Sequence, residues 1–289
     1  MIEVKSLTKR YKNGVKALNG VNLSMKAKTT AILGRNGAGK TTLLRILSTQ
    51  LLPTGGSAKI NGYDVVKDAE TLRKNMISIP QEAGTIGVLT PYEHLELYMI
   101  ARGMPHREID TAIPKVLREL DLWDSRNRAS DELSGGMKRK IFVAMALASR
   151  AEITFLDEPT LGLDPISRLE VWSTIKKLSG TIVLTTHYID EARELAQDIV
   201  LVDSGRVVSH GTAERLLKSM SGKVRVESTE PGARAQYRIG GLAISYVKPR
   251  EASKYVRKGF SAKQMGIEDL FITKGKRPLA ITDNEGEPE

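Results

Sequence analysis

The sequence predicts an α/β protein whose main sheet is parallel and covered by helices on both faces. Two observations carry this. Near-continuous apolar runs, "ITFL" at 153–156, "TIVLTT" at 181–186 and "DIVLVD" at 198–203, are separated by stretches with helical spacing. Further upstream, the short apolar strand "AIL" at 31–33 enters a glycine-rich loop and then a run of helical periodicity.

In chain order, "MIEVKSLTKRYKNG" alternates like a strand and lacks the apolar stretch of a signal peptide. "VNLSM" alternates too, and Asn13-Gly14 and Asn19-Gly20 predict hairpin-type turns. "KTTLLRILSTQLL" predicts a helix that runs to Pro53 and Gly55-Gly56. "SAKINGYDVV" returns to strand alternation around Asn61-Gly62. Residues 91–130 turn helical, with Thr90 as a cap, Pro91 in the first turn, and Pro114 bending or beginning a helix. From about 222, with Pro231, Gly232, Gly240 and Gly241, the pattern loosens into a small, separate β-rich lobe. No internal repeat or low-complexity segment is present.

The 289 residues suffice for a large domain with an appendage, and 40% hydrophobic with 27% charged residues is the composition of a globular chain. Zero cysteines exclude disulfides and thiolate metal sites. His94, His106, His187 and His210 have no ligand spacing, which argues against zinc. The longest apolar run, "IFVAMALA" at 141–148, falls far short of the roughly 20 residues a membrane-spanning helix needs. The charge of +10 is concentrated late: residues 223–277 hold 13 Lys/Arg against 5 Asp/Glu, and the tail "DNEGEPE" is acidic. That excess reads as a solvated basic face lying mostly outside the chemistry.

The chemistry begins at "GRNGAGKT", residues 34–41, which fits G-x4-G-K-[ST] between a strand and a helix. Such a loop curls backbone amides around an anion, with Gly34, Asn36, Gly37, Ala38, Gly39 and Thr42 forming the cradle. Lys40 reaches the outer phosphates and Thr41 can hold Mg²⁺. "ITFLDEP" ends a strand in Asp157, placed to complete a Mg²⁺ shell, with Glu158 directed at an attacking water. His187 closes "TIVLTTH" on the same sheet edge, where a donor can meet a γ-phosphate. Gln81, after "MISIP", can touch Mg²⁺ or water. A second phosphate-like stretch, "DELSGGMKRK" at 131–140, adds two glycines, a serine and a knot of cations.

Taken in order, Tyr11, "GRNGAGKTT", Gln81, "LSGGM", "ITFLDEP", "LGLD" and "TTH" resemble the ATP-binding cassette family over about residues 1–220. The resemblance implies a RecA-like P-loop core with a mixed sheet, an antiparallel β-subdomain and a helical subdomain at about 82–148. The expected domains are therefore a nucleotide-binding domain at 1–221 and an accessory lobe at 222–289. It implies ATP and Mg²⁺ as cofactors, with Tyr11 stacking on adenine, Gln81 sensing both γ-phosphate and membrane partner, Glu158 polarising the water and His187 clamping the γ-phosphate. Two copies would pair head to tail, so that Ser134, Gly135 and Gly136 press on the partner's ATP and Asp164 crosses the interface. The second cradle thus serves a neighbour's nucleotide.

The implied partners are a second copy and an integral membrane permease contacted near "EAGTIGVLTPYEH", with the chain peripheral on the inner face of the membrane; no nucleic acid is expected. "LSGGM" and "MGIEDLFITKGKRP" resemble the drug and antibiotic exporter branch. Met137 replaces a frequent glutamine, and "MKAKTTAIL" lacks the usual glycine before the loop's strand. Residues 222–264 resemble nothing specific. The alternatives are a soluble cassette ATPase acting on nucleic acid or ribosomes, and a GTPase-like switch or degenerate regulatory module. The first is disfavoured because one cassette fills the chain, with Thr41 and Ser134 only 93 positions apart, and the second because no Asn-Lys-x-Asp motif occurs and Glu158 and His187 are both present.

Overall fold

The computed structural model describes residues 1–275 apart from Pro231 and Arg234. The acidic tail and the end of the closing segment, 276–278, lie outside the described residues. The chain divides into two compact units, the first ending at Arg206 and the second beginning at Val207. This division comes ahead of the expected 221/222 boundary.

The first unit opens with β1 (Ile2–Arg10), β2 (Lys16–Met25), β3 (Thr29–Leu33), α1 (Lys40–Leu47), β4 (Gly55–Ile60) and β5 (Tyr63–Asp64). An antiparallel sheet has the order β2-β1-β4-β5. Asn13-Gly14 lies in the β1–β2 turn, and Asn61-Gly62 turns β4 into β5. Asn19-Gly20 is not a turn. β2 runs through it, and because Leu7 faces Val21 while Thr8 faces Asn19, Gly20 is the extra residue of a bulge. Helix α1 also stops earlier than expected: Thr49 is left-handed (φ 62°), and the Gln50 and Leu51 N–H groups both donate back to the Arg45 carbonyl. At 26–28 no residue has positive φ, so the turn before β3 forms without a glycine.

Next come α2 (Ala69–Lys74), β6 (Met76–Ile79), α3 (Pro91–Ala101), α4 (His106–Glu119) and α5 (Gly135–Ser149). Thr90 caps α3 reciprocally: its hydroxyl accepts from Glu93 N (3.2 Å), and the Glu93 carboxylate accepts from Thr90 N (2.8 Å). Helix α4 passes through Pro114 instead of starting there; only the bond that residue 114 would give to Asp110 is lost. Leu95, Met99, Ile113, Leu117 and Ile141 bind α3, α4 and α5 into one buried helical cluster.

The rest of this unit comprises β7 (Ile153–Asp157), α6 (Pro165–Ile175), β8 (Thr181–Thr186), α7 (Ile189–Leu195) and β9 (Asp198–Asp203). Five parallel strands align as β9-β3-β8-β7-β6. Strands β3 and β7 are buried along their whole length, as strands covered on both faces must be.

The second unit takes in β10 (Arg206–Gly211), α8 (Ala213–Lys218), β11 (Val224–Ser228), β12 (Tyr237–Ile239), β13 (Leu242–Val247), α9 (Pro249–Val256), β14 (Ser261–Lys263) and α10 (Glu268–Lys274). Its antiparallel sheet has the order β12-β13-β11-β14 over a small core of Val226, Ala243, Val247 and Phe260. Among the described residues, three helices make it more than a β lobe. Asp269, fully buried, fixes the start of α10 by accepting from Tyr246 OH (2.8 Å) and Gly266 N (2.8 Å). Burial, and then the bond to Asp269, push the Tyr246 phenol far up, so it remains a protonated donor.

Phe155, fully buried at the centre of β7, sets a test of this core. Phe155→Ala should cost about 3–5 kcal/mol, read as a lower denaturant midpoint with the slope unchanged.

Candidate active site

The phosphate loop follows directly from the end of β3. At Gly34 an added Cβ would lie 2.3 Å from the Val202 carbonyl oxygen, so the chain here passes too close to β9 for any side chain. Gly39, at φ 103°, caps α1 and turns the loop into the helix, whose free N–H groups then face the loop. Together these elements wall a cleft of about 480 Å³.

Eleven of the predicted residues line that cleft: Tyr11, Asn36, Gly37, Ala38, Gly39, Lys40, Thr41, Thr42, Gln81, Glu158 and His187. Gly34 lies behind it and gives its carbonyl to Lys40 Nζ at 2.8 Å. The Tyr11 hydroxyl meets Thr42 Oγ1 at 3.1 Å, tying the aromatic ring to the first turn of α1.

The charged groups form a chain of contacts. Lys40 Nζ is 3.0 Å from Glu158 Oε1, both side chains being only 5% exposed, and Glu158 Oε2 is 2.8 Å from His187 Nδ1. In so dry a setting each of these groups depends on its partner, because removing one would leave the other buried without a counterpart. Asp157 sits deeper. Its Oδ1 accepts from Thr41 Oγ1 (3.0 Å) and Thr185 Oγ1 (2.5 Å), whereas Oδ2 is buried without a hydrogen-bond partner.

That orphan oxygen tests the fit of a divalent cation. Buried carboxylate oxygens ordinarily find partners, and Asp157 Oδ2 with the Thr41 hydroxyl and the Gln81 amide makes the hard oxygen donor set that suits Mg²⁺. The residues fit the cation.

The second phosphate-like stretch is not brought to this cleft: Ser134, Gly135, Gly136 and Asp164 are absent from its lining. Ser134 caps α5, accepting from Met137 N (3.2 Å), and is exposed together with Gly135; Gly136 is buried against Ser167 of α6. Asp164 is an exposed cap on α6, and its bonds from Ser167 and Ile166 hold its carboxyl below the usual range. The cations beside the glycines do not face the cleft either. Lys138 Nζ reaches the Asp131 carbonyl, Lys140 pairs with Glu170 (3.0 Å), and Arg139 is buried against main-chain carbonyls.

Sequence reasoning passed over Ser204, Val15 and Lys16, which also line the cleft. Ser204 follows "DIVLVD" directly, so the strand-end signal that singles out His187 extends to it. His94 has a structural role: its Nε2 accepts from Ile86 N and its Nδ1 donates to the Thr90 carbonyl, bracing the loop that follows Gln81.

Residues 18–161 match the family described as ABC transporter. The chain is 40% identical over 230 residues to the daunorubicin resistance ATP-binding protein DrrA3 of Streptomyces coeruleorubidus, covering 78% of this chain and 72% of that one. This chain belongs to the ABC transporter family. The cassette is also 37% identical over 227 residues to the daunorubicin/doxorubicin resistance ATP-binding protein DrrA of Streptomyces peucetius, across 77% of this chain and 68% of that one. Among solved structures, the dimeric ATP-binding cassette MJ0796, in a post-hydrolysis state bound to ADP and Pi, aligns with a TM-score of 0.65 and 30% identity, covering 73% of this chain and 98% of that one. The cassette is accordingly an ATP-binding, ATP-hydrolysing subunit of α/β fold. Among the described residues, no helix is long and apolar enough to cross a membrane.

Gly34 supplies the test of this geometry. A methyl group there must push the chain off the Val202 carbonyl and carry the anchor of Lys40 with it. Gly34→Ala should weaken binding of a fluorescent ATP analogue about tenfold or more, the cost of overpacking at a rigid contact.

Proposed function

We propose that this cassette is the ATP-driven half of an exporter: two copies pair head to tail around two ATP molecules and drive a separate membrane permease. The observation that carries this reading is the division of the phosphate-binding groups. Loop, lysine, carboxylates and histidine share one cleft, while the exposed Ser134 and Gly135 and the exposed Asp164 lie outside it. Groups suited to a γ-phosphate but turned from the chain's own cleft fit the nucleotide of a second copy.

In that arrangement Tyr11 stacks on adenine, and the amides of 36–42 with Lys40 hold the phosphates. Thr41, Asp157 and Gln81 would hold Mg²⁺, which supplies charge neutralisation between the outer phosphates when bound. Glu158, anchored at the end of β7, accepts a hydrogen bond from the attacking water and orients it in line. His187 then holds its ring against Glu158 and presents its other nitrogen to the γ-phosphate. The partner's Ser134 hydroxyl and the amides at the start of its α5 complete the cage. ATP holds the pair together, and hydrolysis releases it.

The permease side is supported by exposed apolar groups near Gln81, chiefly Ile86 and Val88, with Leu97 on α3. Contact there would place the cassette on the inner face of the membrane. The export direction is supported by the two drug-resistance relatives. Those relatives also favour a transporter over a soluble ATPase working on nucleic acid.

Glu158→Gln decides the catalytic assignment. The variant should trap ATP as a dimer on gel filtration and hydrolyse it on the order of a hundredfold more slowly or worse. Unchanged phosphate release would remove Glu158 from the mechanism. Lys40→Ala should instead lose tight nucleotide binding, by about 3 kcal/mol or more if a buried charge-paired contact to phosphate is removed.

A further inference from the structure

Arg139 stands out among the buried charges because the chemistry above does not use it. It sits on α5 one helical turn beyond Gly135, is only 9% exposed, and its guanidinium donates to main-chain carbonyls. Its Nε donates to the Pro159 carbonyl at 2.7 Å, and one terminal nitrogen donates to the Glu158 carbonyl at 2.9 Å and to the Gln81 carbonyl at 3.4 Å. Burial pulls its guanidinium below the usual arginine range, with Glu191 and then Asp157 opposing that through space. Glu191 is fully buried; its Oε1 accepts from both Thr160 Oγ1 (2.6 Å) and Trp172 Nε1 (2.9 Å), and its Oε2 has no hydrogen-bond partner among the described residues.

What Arg139 grips is a conformationally costly residue. Glu158 has φ 48°, a left-handed conformation that is strained for a non-glycine residue and persists only when its surroundings enforce it. Its N–H is held by Thr185, through the carbonyl oxygen (3.2 Å) and Oγ1 (3.0 Å). Its carbonyl accepts from Arg139 at 2.9 Å and from the Leu161 N–H at 3.2 Å. The peptide that aims the Glu158 carboxylate is therefore clamped from both sides, and one clamp belongs to the helix that begins at the exposed Gly135.

We propose that Arg139 is a positioning residue that couples the signature glycines at the start of its helix to the orientation of the same chain's Glu158 carboxylate. A phosphate pressed on Gly135 and Gly136 moves the first turn of α5, and the guanidinium one turn on carries that displacement into the carbonyls of 158, 159 and 81. Engagement of the partner's ATP thereby sets the geometry of this chain's own hydrolytic carboxylate. A planar fork suits the task, since it bonds the carbonyls of two consecutive residues in one fixed geometry, whereas a lysine ammonium on its flexible stem does not fix their relative orientation.

The inference rests on the dimer reading, which the gel-filtration state of ATP-bound Glu158→Gln tests separately. Steady-state ATPase of the full chain is measured against ATP concentration for wild type, Arg139→Met and Arg139→Lys, alongside fluorescent-ATP affinity and thermal melting. Each substitution is also placed in the Glu158→Gln background. Arg139→Met should lower kcat about 10–100-fold, the expected cost of a catalytic group about an ångström out of place, with KM and analogue affinity held within about threefold. Arg139→Lys should recover part of that loss. In the Glu158→Gln background Arg139→Met should cost nothing further, because its effect passes through the missing carboxylate. A folded Arg139→Met with undiminished kcat overturns the inference; so does a joint loss of kcat, affinity and melting temperature without rescue, or a full additional loss in the double variant. Should the methionine variant fail to fold, the lysine variant decides: reduced kcat at unchanged KM supports the coupling, and any other pattern overturns it. Wild-type turnover insensitive to Glu158→Gln would instead overturn the catalytic assignment itself.

Discussion

The parallel register of three strands governs everything else in the site. β3 pairs with β8 so that Leu33 lies level with Thr186, and β7 pairs with β8 so that Asp157 lies level with Thr185. Segments more than a hundred residues apart in sequence thus end at one edge. Parallel strands all point the same way, so the residues that follow them, the phosphate loop, Glu158 and His187, are delivered to the same side. The β9 strand adds the wall against which Gly34 is flattened. Shifting any one strand by a residue would turn its terminal side chain to the other face of the sheet.

Two adjacent acids, Asp157 and Glu158, take different work because the backbone changes between them. Asp157 is the last strand residue and keeps its side chain among Thr41 and Thr185, where hydroxyl donors satisfy one oxygen and leave the other for a cation. Glu158 steps into the left-handed region, which re-aims the next side chain toward Lys40 and His187. A strand continued by one residue would have sent the second carboxylate to the opposite face. The strain at 158 sets the direction of that carboxylate, and the hydrogen bonds on both of its peptide groups sustain it.

Much of this was legible in the sequence because the signals are local. Apolar strands, the G-x4-G-K-T loop, the Thr90 cap and the strand-end acids each occupy a few consecutive residues, and each appears where expected. What escaped depends on distant contacts. Gly20 reads as a turn residue, and only its pairing opposite β1 makes it a bulge. Helix α1 has helical residues beyond Leu47, but Thr49 reverses the chain there. Arg139 looks like one of three surface cations in "KRK" until the fold buries it beneath Pro159. Ser204 could have been found, since it directly follows an apolar strand on the same edge.

The placement of α5 explains why one chain carries two phosphate-binding stretches. The helix has an outward end and an inward middle: Ser134 and Gly135 are exposed, while Arg139 and Lys140, on the next turn, are buried and bonded to 158–159 and to Glu170. A helix is stiff over one turn, so force applied to its exposed end is felt at the buried guanidinium rather than absorbed between them. If each copy's exposed end meets the other's triphosphate, the same rigid element is both the lid of one site and a brace of the other. Two equivalent sites joined in this way are energetically linked, and that linkage is reciprocal by necessity. The arrangement favours closure only when both nucleotides are present, which is the condition under which an ATP-driven pair can be a switch and not merely a pair of independent hydrolases.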